Sequence, residues 1–409
     1  MFSFKPKKKR NRSLLYKISA WLHLWLGLIS GIVVFIVSIT GAIYTFKEEI
    51  NLLIEPFQTV EVPEDTTMLP PSKLGDAVKE SYNYPSVWGV EYRGEGRSVM
   101  IPYYSDPSDY QQAYVNPYTG QPLHNRHLND DFFRFIISGH YQLWLPRSIG
   151  KPIVAYSTLI FVILLISGLI LWWPKRWSKR YVKKGLKISW KSTWRRINYD
   201  LHNVVGFYCL LVALVLALTG MVYGMNWFRS AIYWTASGGQ QPQHEQVTSD
   251  TTLTTTDRPA KDQDILFQKV LQSGVDLVEN EVRFIYPRSE KGVWEVQVNP
   301  NLHNRYLRQT SYYEQHSLEE LKEEPSFAEA NGGEQLSRLN YDLHVGSIGG
   351  IWTKIIAFIA CLVSASLPVT GFIFWWDREK RQLKQKRRKK ARHKEKQKEI
   401  EQKREKTLA

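Results

Sequence analysis

The chain has 409 residues, a mean hydropathy of −0.33, and a formal net charge of +15 from 54 Lys and Arg against 39 Asp and Glu. That average would suit a soluble protein, but it blends apolar windows with polar segments, so the windows decide. Its two cysteines, Cys209 and Cys361, lie inside apolar stretches with no CxxC or CxxCH motif, which argues against a disulfide framework, a zinc or iron–sulfur site and covalently attached c-type haem.

Four windows reach the roughly 20 mostly apolar residues that a membrane helix needs: Leu14–Phe46, Ile153–Trp173, Val204–Trp227 and Ile351–Trp376. Lys and Arg concentrate in Lys5–Arg12, Lys175–Arg196 and Arg378–Lys406, while 48–152 and 228–350 are mixed or acidic by comparison. The positive-inside rule puts all three basic stretches in the cytoplasm. The expected order is a basic cytoplasmic N-terminus (1–13), span one (14–47), an external domain (48–150), span two (151–174) and a basic cytoplasmic loop (175–197). Span three (198–228), a second external domain (229–348), span four (349–376) and a basic cytoplasmic tail (377–409) follow. Span one is too long for a cleaved signal peptide and reads as an anchor. The tail reads as a solvated, orientation-setting helix, and a membrane tether makes nucleic acid a remote partner.

The external segments read as compact α+β modules. In the first, Pro71–Tyr82 is helix-like, Val87–Tyr92, Ser98–Pro102 and Ala113–Asn116 are strand-like, and Asn116-Pro117-Tyr118-Thr119-Gly120 is a turn. In the second, Asp262–Leu277 is helix-like, Val282–Tyr286 and Val293–Val298 are strand-like, and Asn299-Pro300-Asn301 is a turn.

The chain reads as a duplicated unit. Aligning span one on span three puts His23 on His202, Gly27 on Gly206, Thr40-Gly41 on Thr219-Gly220 and Tyr44 on Tyr223. Spans two and four end alike, with Ser167-Gly168 before Trp172-Trp173 and Thr370-Gly371 before Trp375-Trp376; His140 and His344 precede them at nearly equal spacing. The fold class is therefore a membrane α-helical protein: four transmembrane helices as two tandem repeats, with two external α+β domains.

Ionisable groups at span ends are costly and often functional. His23 and His202 fall early in outward-running spans, near the cytoplasmic face, whereas His140 and His344 precede inward-running spans, near the external face. The 17 residues from His23 to Thr40 cover about 26 Å of helix, so each histidine meets only its partner at the same depth. Several readings stay open. The histidines are hydrogen-bonded interfacial residues, with Gly27 and Gly31 a helix-packing motif, or each facing pair is an axial pair for a haem iron. In the haem reading Gly27 and Gly206 make room at the inner site and Gly41 and Gly220 at the outer one. Arg195 and Arg196 face the inner propionates, and Arg147 and Lys151 the outer ones. A metal-ion transporter would add intramembrane carboxylates, of which the spans carry almost none.

Leu22-His23 with Gly27 and Thr40-Gly41, the 116–120 turn, His140 before Leu169–Trp173, Leu201-His202, and Tyr341-Asp342-Leu343-His344 before Thr370–Trp376 together resemble the PepSY-associated transmembrane family. Within it the chain is similar to haem-containing ferric-siderophore reductases of bacterial inner membranes. That resemblance implies PepSY-like external domains in the periplasm and two non-covalent b-type haems, held by His23 with His202 and by His140 with His344. It further implies a cytoplasmic or quinol electron donor and a ferric siderophore as acceptor, in an oxidoreductase anchored in the lipid bilayer. The second external turn lacks the Thr-Gly of the first. A non-enzymatic PepSY partner-binding module and a siderophore or haem permease are the alternatives.

Overall fold

The computed structural model describes residues 13–408 except 65, 84–86, 105–108, 175–177, 179–181, 183–184, 243–245 and 255–257. The basic stretch Lys5–Arg12 and part of the loop after span two therefore lie outside the described residues. Four helices are long and apolar enough to cross a membrane: α1 (Leu14–Thr45), α5 (Arg147–Trp172), the run α6 (Trp194–Asp200) into α7 (Gly206–Gly224), and α11 (Ile351–Leu408). These are spans one to four. Spans one and three each pack against spans two and four, closing a four-helix bundle.

Span two starts at Arg147, four residues earlier than expected, because Pro146 serves as its N-cap and the chain is already helical across the apolar onset. Span three stops at Gly224, and a short break at Met225 leads into the separate amphipathic helix α8 (Asn226–Ala236). Span four does not end at Trp376. The tail is rich in Lys, Arg, Glu and Gln, all good helix formers, and carries no Gly or Pro after Gly371, so the helix runs on to Leu408.

Beyond one end of the bundle lies an eight-stranded antiparallel sheet in the order β4-β3-β2-β1-β5-β6-β7-β8. Its strands are β1 (Gly89–Arg93), β2 (Val99–Tyr104), β3 (Tyr110–Val115), β4 (Pro122–His127), β5 (Glu281–Ile285), β6 (Trp294–Asn299), β7 (Gln309–Tyr313) and β8 (Glu320–Glu323). The bundle end nearest it is called the sheet side, and the end where spans two and four approach Trp173 and Trp376 the tail side. The two external modules share this one sheet. β1 and β5 pair from Gly89↔Ile285 to Arg93↔Glu281, joining the two modules edge to edge. Glu91 and Arg283 face each other at the centre of that pairing and form an ion pair. Gly89 is required there, since a Cβ would lie 2.2 Å from the Phe284 carbonyl oxygen.

Helices α3 (Pro71–Tyr82) and α9 (Asp262–Gln272) cover one face of the sheet. Leu74, Val78, Val90 and Tyr92 from the first module share a single core with Leu266, Phe267, Val282 and Phe284 from the second. Asp264 of α9 accepts hydrogen bonds from the Ser72 amide (2.9 Å) and hydroxyl (2.5 Å) in the first turn of α3. The buried apolar surface and this cap both cross the module boundary, so each half completes the other. The 116–120 turn forms as read: Gly120 takes φ +75° and its amide donates to the Asn116 carbonyl at 2.9 Å.

Candidate functional site

Two further helices, α4 (Phe132–Gln142) and α10 (Gly332–Val345), descend from the sheet onto the bundle. They deliver His140 and His344, while His23 and His202 belong to spans one and three. The structure brings the four together in two pairs. The rings of His23 and His202 have centroids 6.1 Å apart at 89°. Those of His140 and His344 are 6.0 Å apart at 60°. Each pair joins one histidine from the first half of the chain to one from the second.

What holds each imidazole is a hydroxyl-glycine dipeptide on a neighbouring helix. His23 Nδ1 lies 3.0 Å from Ser167 Oγ, and a Cβ on Gly168 would lie 3.1 Å from its Cε1. His202 meets Thr370 at 2.9 Å and Gly371 at 3.2 Å by the same measure. His140 meets Thr40 at 3.3 Å and Gly41 at 3.0 Å. His344 meets Thr219 at 2.9 Å and Gly220 at 3.2 Å. The supporting dipeptide always comes from the same half as its histidine, so each half presents prepared imidazoles and the pairs close between halves.

The hydrogen-bond network also sets the tautomer. Nδ1 of His140 lies 2.9 Å from the Val37 carbonyl and that of His344 lies 3.2 Å from the Leu216 carbonyl. A carbonyl only accepts, so both Nδ1 atoms carry the proton. Ser167 and Thr370 already donate their hydroxyl hydrogens to helix carbonyls. They therefore accept from His23 and His202. In all four rings the lone pair is left on Nε2, the form in which neutral imidazole binds a metal. Two neutral imidazoles facing each other at each depth are a donor set that would hold a haem iron.

Two features were not anticipated. The heptapeptide Arg196-Ile197-Asn198-Tyr199-Asp200-Leu201-His202 recurs as Arg338-Leu339-Asn340-Tyr341-Asp342-Leu343-His344. Its asparagine and aspartate act alike at both depths. Asn198 donates to the Thr370 carbonyl at 3.0 Å and Asn340 to the Thr219 carbonyl at 3.3 Å, the same threonines that hold the histidines. Fully buried Asp200 accepts the Ser189 amide, and fully buried Asp342 accepts the Arg305 and Tyr306 amides. Each aspartate thus pins a loop against the helix that carries the histidine. Direct comparison of the sequence around His202 with that around His344 would have found it. Asp200 lies at the start of span three, where Arg196 pairs with it at 2.8 Å. The second feature is a π-helical turn over Leu201–Val205 at His202, an irregularity typical of functional sites that re-aims side chains.

Several expected residues take other roles. The nearest side chain to a Cβ on Gly27 would be Leu164 at 3.8 Å, and to one on Gly206 Leu367 at 3.2 Å. Gly168 and Gly371 are the glycines seated directly against the inner rings. Gly41 and Gly220 do lie at the outer pair, but as seats for its imidazoles. Arg195 is paired with Asp377 at 3.0 Å, and Arg196, besides binding Asp200, lies over the Tyr199 ring at 5.4 Å. On the sheet side, Arg305 lies over Tyr341 at 4.3 Å, whereas Arg147 and Lys151 line a cleft between spans two and three. Buried Lys354 of span four binds Glu49 of α2 (Lys47–Ile54) at 2.7 Å, tying the halves together on the same side.

The sequence model of the family described as PepSY-associated TM region matches residues 20–378. No curated protein matches the chain.

Proposed function

The chain belongs to the PepSY-associated transmembrane family, and from that premise we propose that it is a two-repeat, di-haem electron-transfer protein of a bacterial inner membrane. In this reading it reduces ferric siderophores in the periplasm. The observation that carries the reading is the pair of cross-half histidine contacts, 6.1 and 6.0 Å between ring centres, with every Nδ1 engaged and the lone pair left on every Nε2.

His23 and His202 would hold the inner haem, and His140 and His344 the outer one. When bound, two b-type haems supply one-electron carriers at two membrane depths. The protein's part is to keep four imidazoles neutral, oriented and away from water. The hydroxyls and carbonyls on Nδ1 make each ring a better donor at Nε2. Gly168, Gly371, Gly41 and Gly220 let the rings lie against helix backbone. The basic loop and tail support a cytoplasmic tail side, which leaves the sheet in the periplasm, where a ferric chelate would dock. Reduction loosens such a chelate because Fe(II) is softer and less charged than Fe(III) and hard oxygen ligands hold it less well.

The test is anaerobic. Purified protein is reduced, freed of excess reductant, and mixed with a ferric siderophore and an Fe(II)-specific chromogenic chelator. Re-oxidation of the protein matched by Fe(II) capture is expected. A protein that stays reduced against hydroxamate, catecholate and carboxylate ferric siderophores would remove the reductase reading.

A further inference from the structure

Between the sheet-side ends of spans two and three is a cleft of about 420 Å³ lined by residues 147–156 of one helix and 224–227 of the other. Its floor is apolar. Ala155 and Met225 belong to a small buried cluster with Met221, backed by Leu159, Val162 and Phe228. Gly224 allows the spans to meet below the cleft; a Cβ there would lie 2.9 Å from the Ala155 Cβ. The rim is cationic. Exposed Arg147 and half-buried Lys151 both reach it, and among the described residues neither has an ion-pair partner. Tyr156 and Trp227 flank the opening and are 62% and 59% exposed, as interfacial aromatics at a bilayer surface are.

We propose that this cleft binds an anionic phospholipid from the leaflet on the sheet side. Two cations without carboxylates, set at the head of an apolar cleft between membrane helices, match one amphipathic occupant. The phosphate sits between Arg147 and Lys151, and an acyl chain runs down past Ala155 and Tyr156. A soluble anion would leave the apolar floor unused, and a zwitterionic lipid would leave the cations uncompensated. The contrast with span four sharpens the assignment. Lys354, at the sheet-side end of that span, has Glu49 as its counter-ion, whereas Lys151 has none among the described residues. The inference depends only on the membrane placement of the helices and stands apart from the haem reading.

The test is native mass spectrometry of the full chain in detergent, titrated with phosphatidylglycerol or phosphatidylcholine. Each cation near an anionic headgroup favours binding, so one phosphatidylglycerol should be retained roughly 10-fold or more over phosphatidylcholine. R147Q/K151Q should lose that preference and R147K/K151R should keep it, with an unchanged size-exclusion profile reporting the fold; single K151Q gives the same reading should the double variant be unstable. Equal retention of both lipids by the native chain, or undiminished preference in the glutamine variants, would overturn the proposal. So would loss of bound haem from those variants with lipid preference intact, which would assign the cations to the outer cofactor instead.

Discussion

The tail-side and sheet-side histidine pairs reach the same spacing with opposite assignments of parts. On the tail side spans one and three carry His23 and His202, and spans two and four carry the supports Ser167-Gly168 and Thr370-Gly371. On the sheet side spans one and three become the supports, through Thr40-Gly41 and Thr219-Gly220, and the short helices α4 and α10 bring His140 and His344. Spans one and three thus serve both pairs, carrying the histidine at one end and its cradle at the other. What is constant is the dipeptide: a hydroxyl that takes the Nδ1 proton and a glycine that lets the ring approach. The sites differ in anchoring. The sheet-side histidines come from short helices that follow strands of a sheet shared between the halves.

The largest expected effects come from the ligands. His202→Ala should remove the inner haem and spare the outer, and His344→Ala the reverse, each lowering haem per chain from about two to about one. Haemochrome assay of the purified variants checks it; full retention of both haems in either variant would break the pairing. Next come the seats. Gly371→Leu should displace His202 and deplete the inner haem, and Gly220→Leu should displace His344 and deplete the outer one. Redox titration resolves which component is lost, and loss of the same component from both variants would contradict the assignment of seats to sites.

The heptapeptide separates the sites more finely. Removing a group that supports a metal ligand typically weakens retention about 10- to 100-fold. Asn198→Ala should therefore raise haem dissociation from the inner site alone and Asn340→Ala from the outer site alone, followed by transfer to apomyoglobin. Equal changes at both sites would make the asparagines general fold residues. The smallest effect is expected at Glu49→Gln, which leaves the mostly buried Lys354 ammonium without its carboxylate. A loss of about 1–3 kcal/mol of stability is expected, seen as a lowered Tm, together with a shift confined to the sheet-side redox component.

Much of this was legible in the sequence, because it follows from properties that single residues carry. Hydropathy marks the spans, and helix rise separates His23 from Thr40 by most of a bilayer. The glycines seated against the inner rings were harder to read. Gly27 follows His23 by one turn on the same helix, yet the atoms beside a ring are set by the register of the neighbouring helix, which brings Gly168. The merged sheet was hidden because β1 and β5 lie about 190 residues apart and their edges become partners only once both modules fold. The π-turn at His202 leaves no compositional signature. The repeated heptapeptide was visible but joins an inner histidine to an outer one, so aligning corresponding spans passed over it.

The most direct test of two cross-half bis-histidine sites is the absorption spectrum of the full chain purified in detergent, oxidised and then dithionite-reduced, with a pyridine haemochrome count. The expected result is a low-spin b-type spectrum with about two haems per chain. A colourless protein after expression with ample haem would contradict it and leave the four histidines as hydrogen-bonded residues that pack the two halves together.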